Sequence, residues 1–572
     1  MKEKALKVAL AILVFTYLVN FIFLGFFIGP FDYDHLSAYY ELAWRFWVQS
    51  PGLPHFNPFL CGGRTLGGDP QIPIFHPLVI FIPILGATWT IKLELLAQIF
   101  LGTWGLHRWL LDWKVERTGC LWGVFLFLSG GGVVAKALVG HVTLGSYLLL
   151  PLFFLLSYRL AEKERDFSKR EILSYWLLFI YSGFYKPNFL IYVVPVLLIE
   201  VLARTLLTQK FWALGQFIFA VGISTVCNAI SELPALSYFL AFPERKDTVA
   251  AYYTPLYTLL FNLLMPLKSI PKIFYGPGFF MQRHEYSFFL GPMALYFTFL
   301  GLKSLKNRRP ELLALFVFIF FSAALGVGAI EDGLSPWFIF TWLKPFWPGF
   351  QSIRVPPRFW FGVFLGLIIF SALGFSKGLK KIPSTIFVFL GVLPLLLSAV
   401  INLSKTSIHA TQTQWTTPRL YPDRFTQVLG DETRIYSIIR QGKGSIKCVP
   451  NLSVFESASL VEGDTLLSTG TRPHTTDLAW LSWNKIRVKA VSTSSGPFQL
   501  SLNINASPYW SFEGEGELKY QRGAPLTLSS RNGHLNGHLV FSQPWVGESL
   551  IISLAGWLFL LLFAFYYKRK LK

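Results

Sequence analysis

The sequence predicts a polytopic α-helical membrane protein of about twelve spans, with a β-rich external domain placed before the last one. Three observations predict it. Apolar runs near the roughly 20 residues needed to cross a bilayer recur along the 572-residue chain, 53% of which is hydrophobic. The basic residues behind its formal charge of +20 fall in short clusters between those runs, where they orient spans, so they point to a lipid bilayer and not to nucleic acid. Between Leu403 and about Pro544 the pattern changes to the two-residue alternation of half-buried strands.

The first apolar run, from Lys7 to about Pro30, is too long for a signal-peptide core and lacks a small-x-small cleavage site, so it reads as a retained span. Starting from a cytoplasmic Met1-Lys2-Glu3-Lys4, it delivers Asp32 and Asp34 to the external face. A long loop, about 30–88, follows. Leu36, Tyr40, Ala43, Trp44 and Trp47 predict an amphipathic helix lying in the interface with its aromatics toward lipid headgroups, and Glu41 and Arg45 predict an i, i+4 pair. The Gly- and Pro-rich segment after Pro51-Gly52 predicts irregular backbone packed on the membrane scaffold. Pro73, Pro77 and Pro83 make 72–88 a re-entrant or interfacial piece.

Further spans are predicted at about 89–111, 118–137, 142–161, 172–184, 188–206, 211–231, 286–304, 311–330, 357–376 and 383–402, with basic clusters at alternate junctions. Two more long external loops fall at about 232–285 and 331–357. Residues 1–402 thus form the membrane module and 403–546 the external domain, where Ile486-Arg487-Val488-Lys489-Ala490 alternates as a strand does. The last span, about 547–567, and the tail Lys568-Arg569-Lys570 complete 547–572, with both termini cytoplasmic in a plasma membrane. Cys61, Cys120, Cys227 and Cys448 have no metal-ligand spacing and demand no disulfide.

Two constellations carry the candidate chemistry. Asp32 and Asp34, one residue apart where a span exits, suit a divalent cation such as Mg or Mn, or a general base beside a group that orients substrate. The alternative is a helix cap at Asp34 and a solvated charge at Asp32. Arg354 and Arg358 bracket Val355-Pro356-Pro357 at the mouth of a span, where guanidinium forks suit a phosphate or diphosphate; pairing with lipid headgroups is the competing reading. Around them, Asp69, His76, His141 and Lys186 fall at external positions, as do His284 and Glu285, candidates for a metal ligand or base. No Walker loop, dinucleotide glycine fingerprint, zinc-protease pair or nucleophile elbow is present in the sequence, which leaves ATP-driven transport and covalent serine hydrolysis without support.

The order FDYDH, then LPHFNPFLCGGRTLGGDPQIPIFHPL, then SIRVPPRF before a late span, and NASPYWSFEGEGE ahead of the terminal span resembles the GT-C integral-membrane glycosyltransferases, and among them the YfhO-like bacterial membrane proteins. The resemblance implies an acid of the first external loop, Asp32 or Asp34, as base or metal ligand. It also implies a polyprenyl-phosphate-linked sugar donor, Arg354 and Arg358 against the lipid phosphate, and a glycan, lipid or protein acceptor. Asp69 matches the family's loop acid by position alone. The expected activity is inverting sugar transfer on the external face; the alternatives are a transporter or flippase of a lipid-linked saccharide, or a non-catalytic scaffold.

Overall fold

The computed structural model describes residues 2–25, 27, 32–49, 53, 55–66, 72–162, 169–185, 189–241, 256–265, 287–303, 310–326, 356–405, 425–429, 435–446, 459–471, 474–521 and 523–569. Seven described helices are long and apolar enough to cross a membrane, and a pair bent by 77°, Phe211–Cys227 with Ala229–Ser237, brings the number to eight. The expected twelve is higher, and the difference has identifiable places. One is the predicted span at 89–111, which lies in a helix, α3 (Ala87–Asp112), of 26 residues. At 1.5 Å per residue it is about 39 Å long, yet Lys92 and Glu94 interrupt its apolar run. Elsewhere Lys169–Gly183, Pro292–Leu302 and Pro310–Gly326 have 15, 11 and 17 residues, short of the roughly 20 that a full crossing takes. The loop expected at 232–285 also contains helical backbone, at Ala229–Ala241 and Leu256–Leu264.

Helix ends sort onto two faces. Lys2 Nζ, at the start of α1 (Lys2–Leu18), donates to Leu379 O at 2.5 Å, and Glu3 senses the charge of Arg117. Asp112, which closes α3, pairs with Arg159 at 2.7 Å, and Arg159 reaches Glu171 at 3.2 Å. Arg204 lies over the Tyr158 ring at 5.3 Å. One face therefore gathers these basic helix ends, and the opposite face receives the chain leaving α1, the start of Trp360–Leu379 and the strands.

The helix predicted to lie in the interface is α2 (Tyr33–Gln49), and its placement corrects the expectation. Leu36, Ala38, Tyr39, Tyr40, Leu42, Ala43 and Phe46 are all buried, and of the predicted aromatics only Trp47 is substantially exposed, at 48%. Amphipathic spacing marks a stripe to be covered without saying whether protein or lipid covers it. The Glu41–Arg45 pair does form, at 3.1 Å, and it too is buried.

The Gly- and Pro-rich loop also differs from expectation. It forms a hairpin, β1 (Phe56–Asn57) against β2 (Arg64–Thr65), packed on the strands of the C-terminal region. Phe56 sits 4.9 Å from Trp510 and 5.0 Å from Phe541, and Phe59 sits 5.1 Å from Trp483. Ser445 N–H donates to Phe59 O, Gly62 N–H to Ser445 O and Asn505 N–H to Gly62 O, each at 2.9 Å. Gly62 has φ +62°, and a Cβ there would fall 2.2 Å from Leu460. Cys61, beside it, is disulfide-bonded, contrary to the reading that no cysteine needs a partner, whereas Cys120 and Cys227 are free and buried.

The strands meet the sequence pattern. Ile486, Val488 and Ala490 are buried between more exposed neighbours on β3 (Lys485–Ser492), which lies in a four-stranded antiparallel sheet between His474–Ser482 and His534–Phe541. A second four-stranded sheet centres on β4 (Phe498–Asn505), and the apolar faces of both belong to one core. Alternation on β4 breaks at Asn503 and Asn505, buried because their amides bond Val461 O at 2.8 Å and Cys61 O.

Candidate active site

The site grows from the end of the first span. Asp32 O accepts the Leu36 N–H at 2.9 Å, so Asp32 holds the N-cap position of α2 and its side chain leaves the helix start. That side chain meets His141 Nε2, forming an acid–imidazole pair in which the imidazole is buried and the carboxyl is about a third exposed, at 36%.

His141 reaches Asp32 because the helix Gly131–Val139 stops at Gly140, whose φ of +78° turns the chain; a Cβ there would fall 2.7 Å from the Tyr33 ring. Tyr33 is held in turn by its hydroxyl, which donates to Ala137 O at 2.7 Å. Beneath lies Lys92 of α3, buried, with Nζ 3.3 Å from Leu24 O and 5.6 Å from the Tyr33 ring centroid. A partly exposed carboxyl backed by a buried imidazole is suited to taking a proton from a hydroxyl.

Asp34 has a different task. Its Oδ2 accepts the Tyr436 N–H at 3.2 Å, at the first turn of the short helix Ile435–Arg440. The expectation of a capping role for Asp34 thus falls on another helix, one in the β-rich C-terminal region. Around this junction Arg45 pairs with Glu41 and donates to Arg440 O at 3.5 Å. Burial, then the nearby Glu41, pushes the Tyr436 phenol up to about 12.

His76 does not join Asp32. Its Nδ1 accepts the Leu78 N–H at 3.4 Å and its Nε2 lies 3.3 Å from Glu94 Oε1, in a second, wholly buried cluster. Glu94 gathers three phenols: Tyr40 at 2.6 Å, Tyr181 at 3.1 Å and Tyr185, with Gln98 at 3.4 Å. The sequence reading passed over Lys92, Glu94 and Gln98. Their signal was polarity inside an apolar run at 89–111, where an ionisable residue has to find a partner.

Arg358 stacks over Tyr192 at 5.4 Å, and Tyr192 stands 6.3 Å from Tyr147, six residues beyond His141. Stacking engages the guanidinium face, and its donors radiate in the plane at the edge. Arg354, Lys186, Asp69, His284 and Glu285 lie outside the described residues. Among the described residues no three His, Cys, Asp or Glu side chains converge as a metal site would require.

No known family profile matches this chain, and no curated protein matches it. Among solved structures it is similar to arabinofuranosyltransferase AftD from Mycobacteria, at 13% identity and TM-score 0.42 over 72% of this chain and 27% of that one. It is also similar to the Archaeoglobus fulgidus oligosaccharyltransferase in its apo form, at 15% identity and TM-score 0.41 over 79% and 67% of the two chains. A third is ArnT from Cupriavidus metallidurans bound to undecaprenyl phosphate, at 10% identity and TM-score 0.39 over 76% and 77%. All three are GT-C glycosyltransferases. The chain spans about a quarter of the length of AftD.

Proposed function

We propose that this integral membrane protein is an inverting glycosyltransferase that moves a sugar from a polyprenyl-phosphate donor to an acceptor hydroxyl, in the manner of the GT-C and YfhO-like proteins its motifs resemble. The observation that carries the reading is the Asp32–His141 pair at the exit of the first span. Asp32 takes the proton of the acceptor hydroxyl while His141 holds the carboxyl in place, the hydroxyl attacks the anomeric carbon, and the lipid phosphate departs. A single displacement inverts the anomeric centre. Arg358, with Arg354 as its expected companion, stabilises the charge that builds on the departing phosphate.

The site is placed on the external side. Two features support that placement: the opposite face carries the basic helix ends, which favour the cytoplasm, and the disulfide at Cys61 suits an oxidising compartment. For a divalent cation, Asp32 and His141 offer two donors, fewer than a protein cage supplies, and a cation there would draw its remaining ligands from donor phosphate and water. No step above is routed through it.

The test is sugar transfer by the protein in lipid nanodiscs supplied with labelled polyprenyl-phosphate sugar. Asp32→Asn is expected to lower turnover by about 10²–10⁴-fold, the usual weight of a general base. Asp34→Asn, which leaves that base in place, is expected to stay within about tenfold of the parent. Parental turnover in Asp32→Asn would overturn the assignment. Donor movement across the bilayer without sugar release would replace transfer with transport.

A further inference from the structure

On the basic face, a cavity of about 220 Å³ opens where several helices end. Tyr158 and Glu162 line it from the close of one span, Arg204 and Thr208 from the end of another, and Lys210 and Glu311 from the starts of two later helices, Phe211–Cys227 and Pro310–Gly326. The deepest charge is Arg204, 3% exposed. Its Nε donates to Glu200 at 2.8 Å and its plane covers the Tyr158 ring, but Nη1 is buried with no hydrogen-bond partner among the described residues. A buried guanidinium N–H left unsatisfied beside an open cavity marks a place for an acceptor.

The lining carries both signs. Arg204 and Lys210 offer donors to an anion, whereas Glu162 and Glu311 would repel one and attract a cation. A plain phosphate satisfies half of such a lining; a zwitterion satisfies all of it. Directly after Lys210 in the chain, Phe211 and Trp212 are exposed at 61% and 51%, aromatics of the kind expected at headgroup depth.

From this juxtaposition we propose that the cavity binds an aminophospholipid headgroup, its phosphodiester on Arg204 and Lys210 and its primary ammonium on Glu162 and Glu311, with the acyl chains passing Phe211 and Trp212. This site lies on the face opposite the Asp32–His141 pair and stands whether or not the chain transfers sugar.

The test is native mass spectrometry of the detergent-purified full chain titrated with phosphatidylethanolamine, phosphatidylcholine, phosphatidylglycerol and soluble phosphoethanolamine. Phosphatidylethanolamine is expected to bind about tenfold more tightly than phosphatidylcholine, whose quaternary ammonium has no N–H to donate, the effect of one charge-assisted hydrogen bond. Glu311→Gln, at a partly exposed helix start, should reduce that preference, weakening phosphatidylethanolamine more than phosphatidylcholine. Lys210→Ala should weaken both lipids alike. Equal binding of the two lipids by the parent, or an undiminished preference in Glu311→Gln, would overturn the ammonium contacts. Tighter binding of phosphatidylglycerol would mark an anion site, and equal binding of soluble phosphoethanolamine would remove the lipid; either result refutes the proposal.

Discussion

Replacing Glu94 by Ala removes the acceptor on which Tyr40, Tyr181 and Tyr185 converge, and the geometry sets the size of the effect. All three phenols lie in buried or nearly buried surroundings and Glu94 itself is 2% exposed, so water cannot replace it cheaply. The Tyr181 and Tyr185 hydroxyls lie 2.8 Å apart and one can donate to the other, so two donors are orphaned at about 1–3 kcal/mol each, which puts the variant at least about 2 kcal/mol below the parent before the cavity left by the side chain is considered. Glu94→Gln keeps the volume and one acceptor oxygen, and Tyr40 can turn its hydroxyl to accept from the new amide; its expected cost is about 1–2 kcal/mol. The assay is the fraction of detergent-solubilised protein that stays monodisperse after graded heating, with Tyr40→Phe as a companion that deletes one donor and leaves the carboxyl in place. Because the residues act as one network, the losses in Tyr40→Phe and Glu94→Gln should not add. If Glu94→Ala lost less than about 1 kcal/mol, or lost no more than Glu94→Gln, the carboxyl would not be the centre of a satisfied polar network and the argument from orphaned donors would fail.

Other outcomes follow from the same geometry. His55 Nδ1 accepts the Gln543 N–H at 3.2 Å and burial lowers its pKa, so the neutral ring belongs to the folded state. That contribution is complete above the ordinary value of 6.5 and is lost as pH falls below it through the lowered folded-state value, and limited proteolysis of the β-rich C-terminal region should accelerate below about pH 6.5 in the parent but not in His55→Gln. Asp34→Ala should loosen the Ile435–Arg440 helix by about 1 kcal/mol, seen as faster amide exchange at Tyr436, with turnover lowered far less than in Asp32→Asn. Arg358→Lys keeps a charge but loses the stacked fork over Tyr192; its donor KM should rise by about tenfold, nearly as much as in Arg358→Ala, and a parental KM in both would remove Arg358 from the donor site.

The parts of this molecule that were legible in sequence are those where one chemical force decides. Lys377, Lys380 and Lys381 at the end of one helix, and Arg204 and Lys210 at another junction, set the alternation of the chain, and the helix ends sort onto two faces accordingly. The Ile486-Arg487-Val488 alternation became a strand because a half-buried sheet has a period of two. Less was legible where several partners compete for the same side chain. Leu36 and Tyr40 have the spacing of a lipid-facing stripe, and protein covers them instead. His76 was grouped with the acids of the first loop, yet the fold takes it to Glu94. Asp34 was a candidate base and is tied to Tyr436, some four hundred residues away, a partner that no local pattern names. The Asp32–His141 contact crosses more than a hundred residues and depends on the left-handed turn at Gly140, which a lone glycine in an apolar stretch does not announce.

The hairpin at Phe56–Thr65 has a bearing on biogenesis. Its partners, Ser445, Asn484, Asn505 and Gln543, are made after nearly all of the helices have been synthesised. A ribosome that has inserted the first span must therefore finish most of the chain before the loop next to Asp32 can close its hydrogen bonds. Contacts of such sequence separation form late, and until they form the loop's backbone donors are unsatisfied and its phenylalanines uncovered. The face that carries the Asp32–His141 pair thus matures at the end of translation, so truncation anywhere before Gln543 should leave a membrane-inserted but inactive chain with Phe56 and Phe59 open to chaperones.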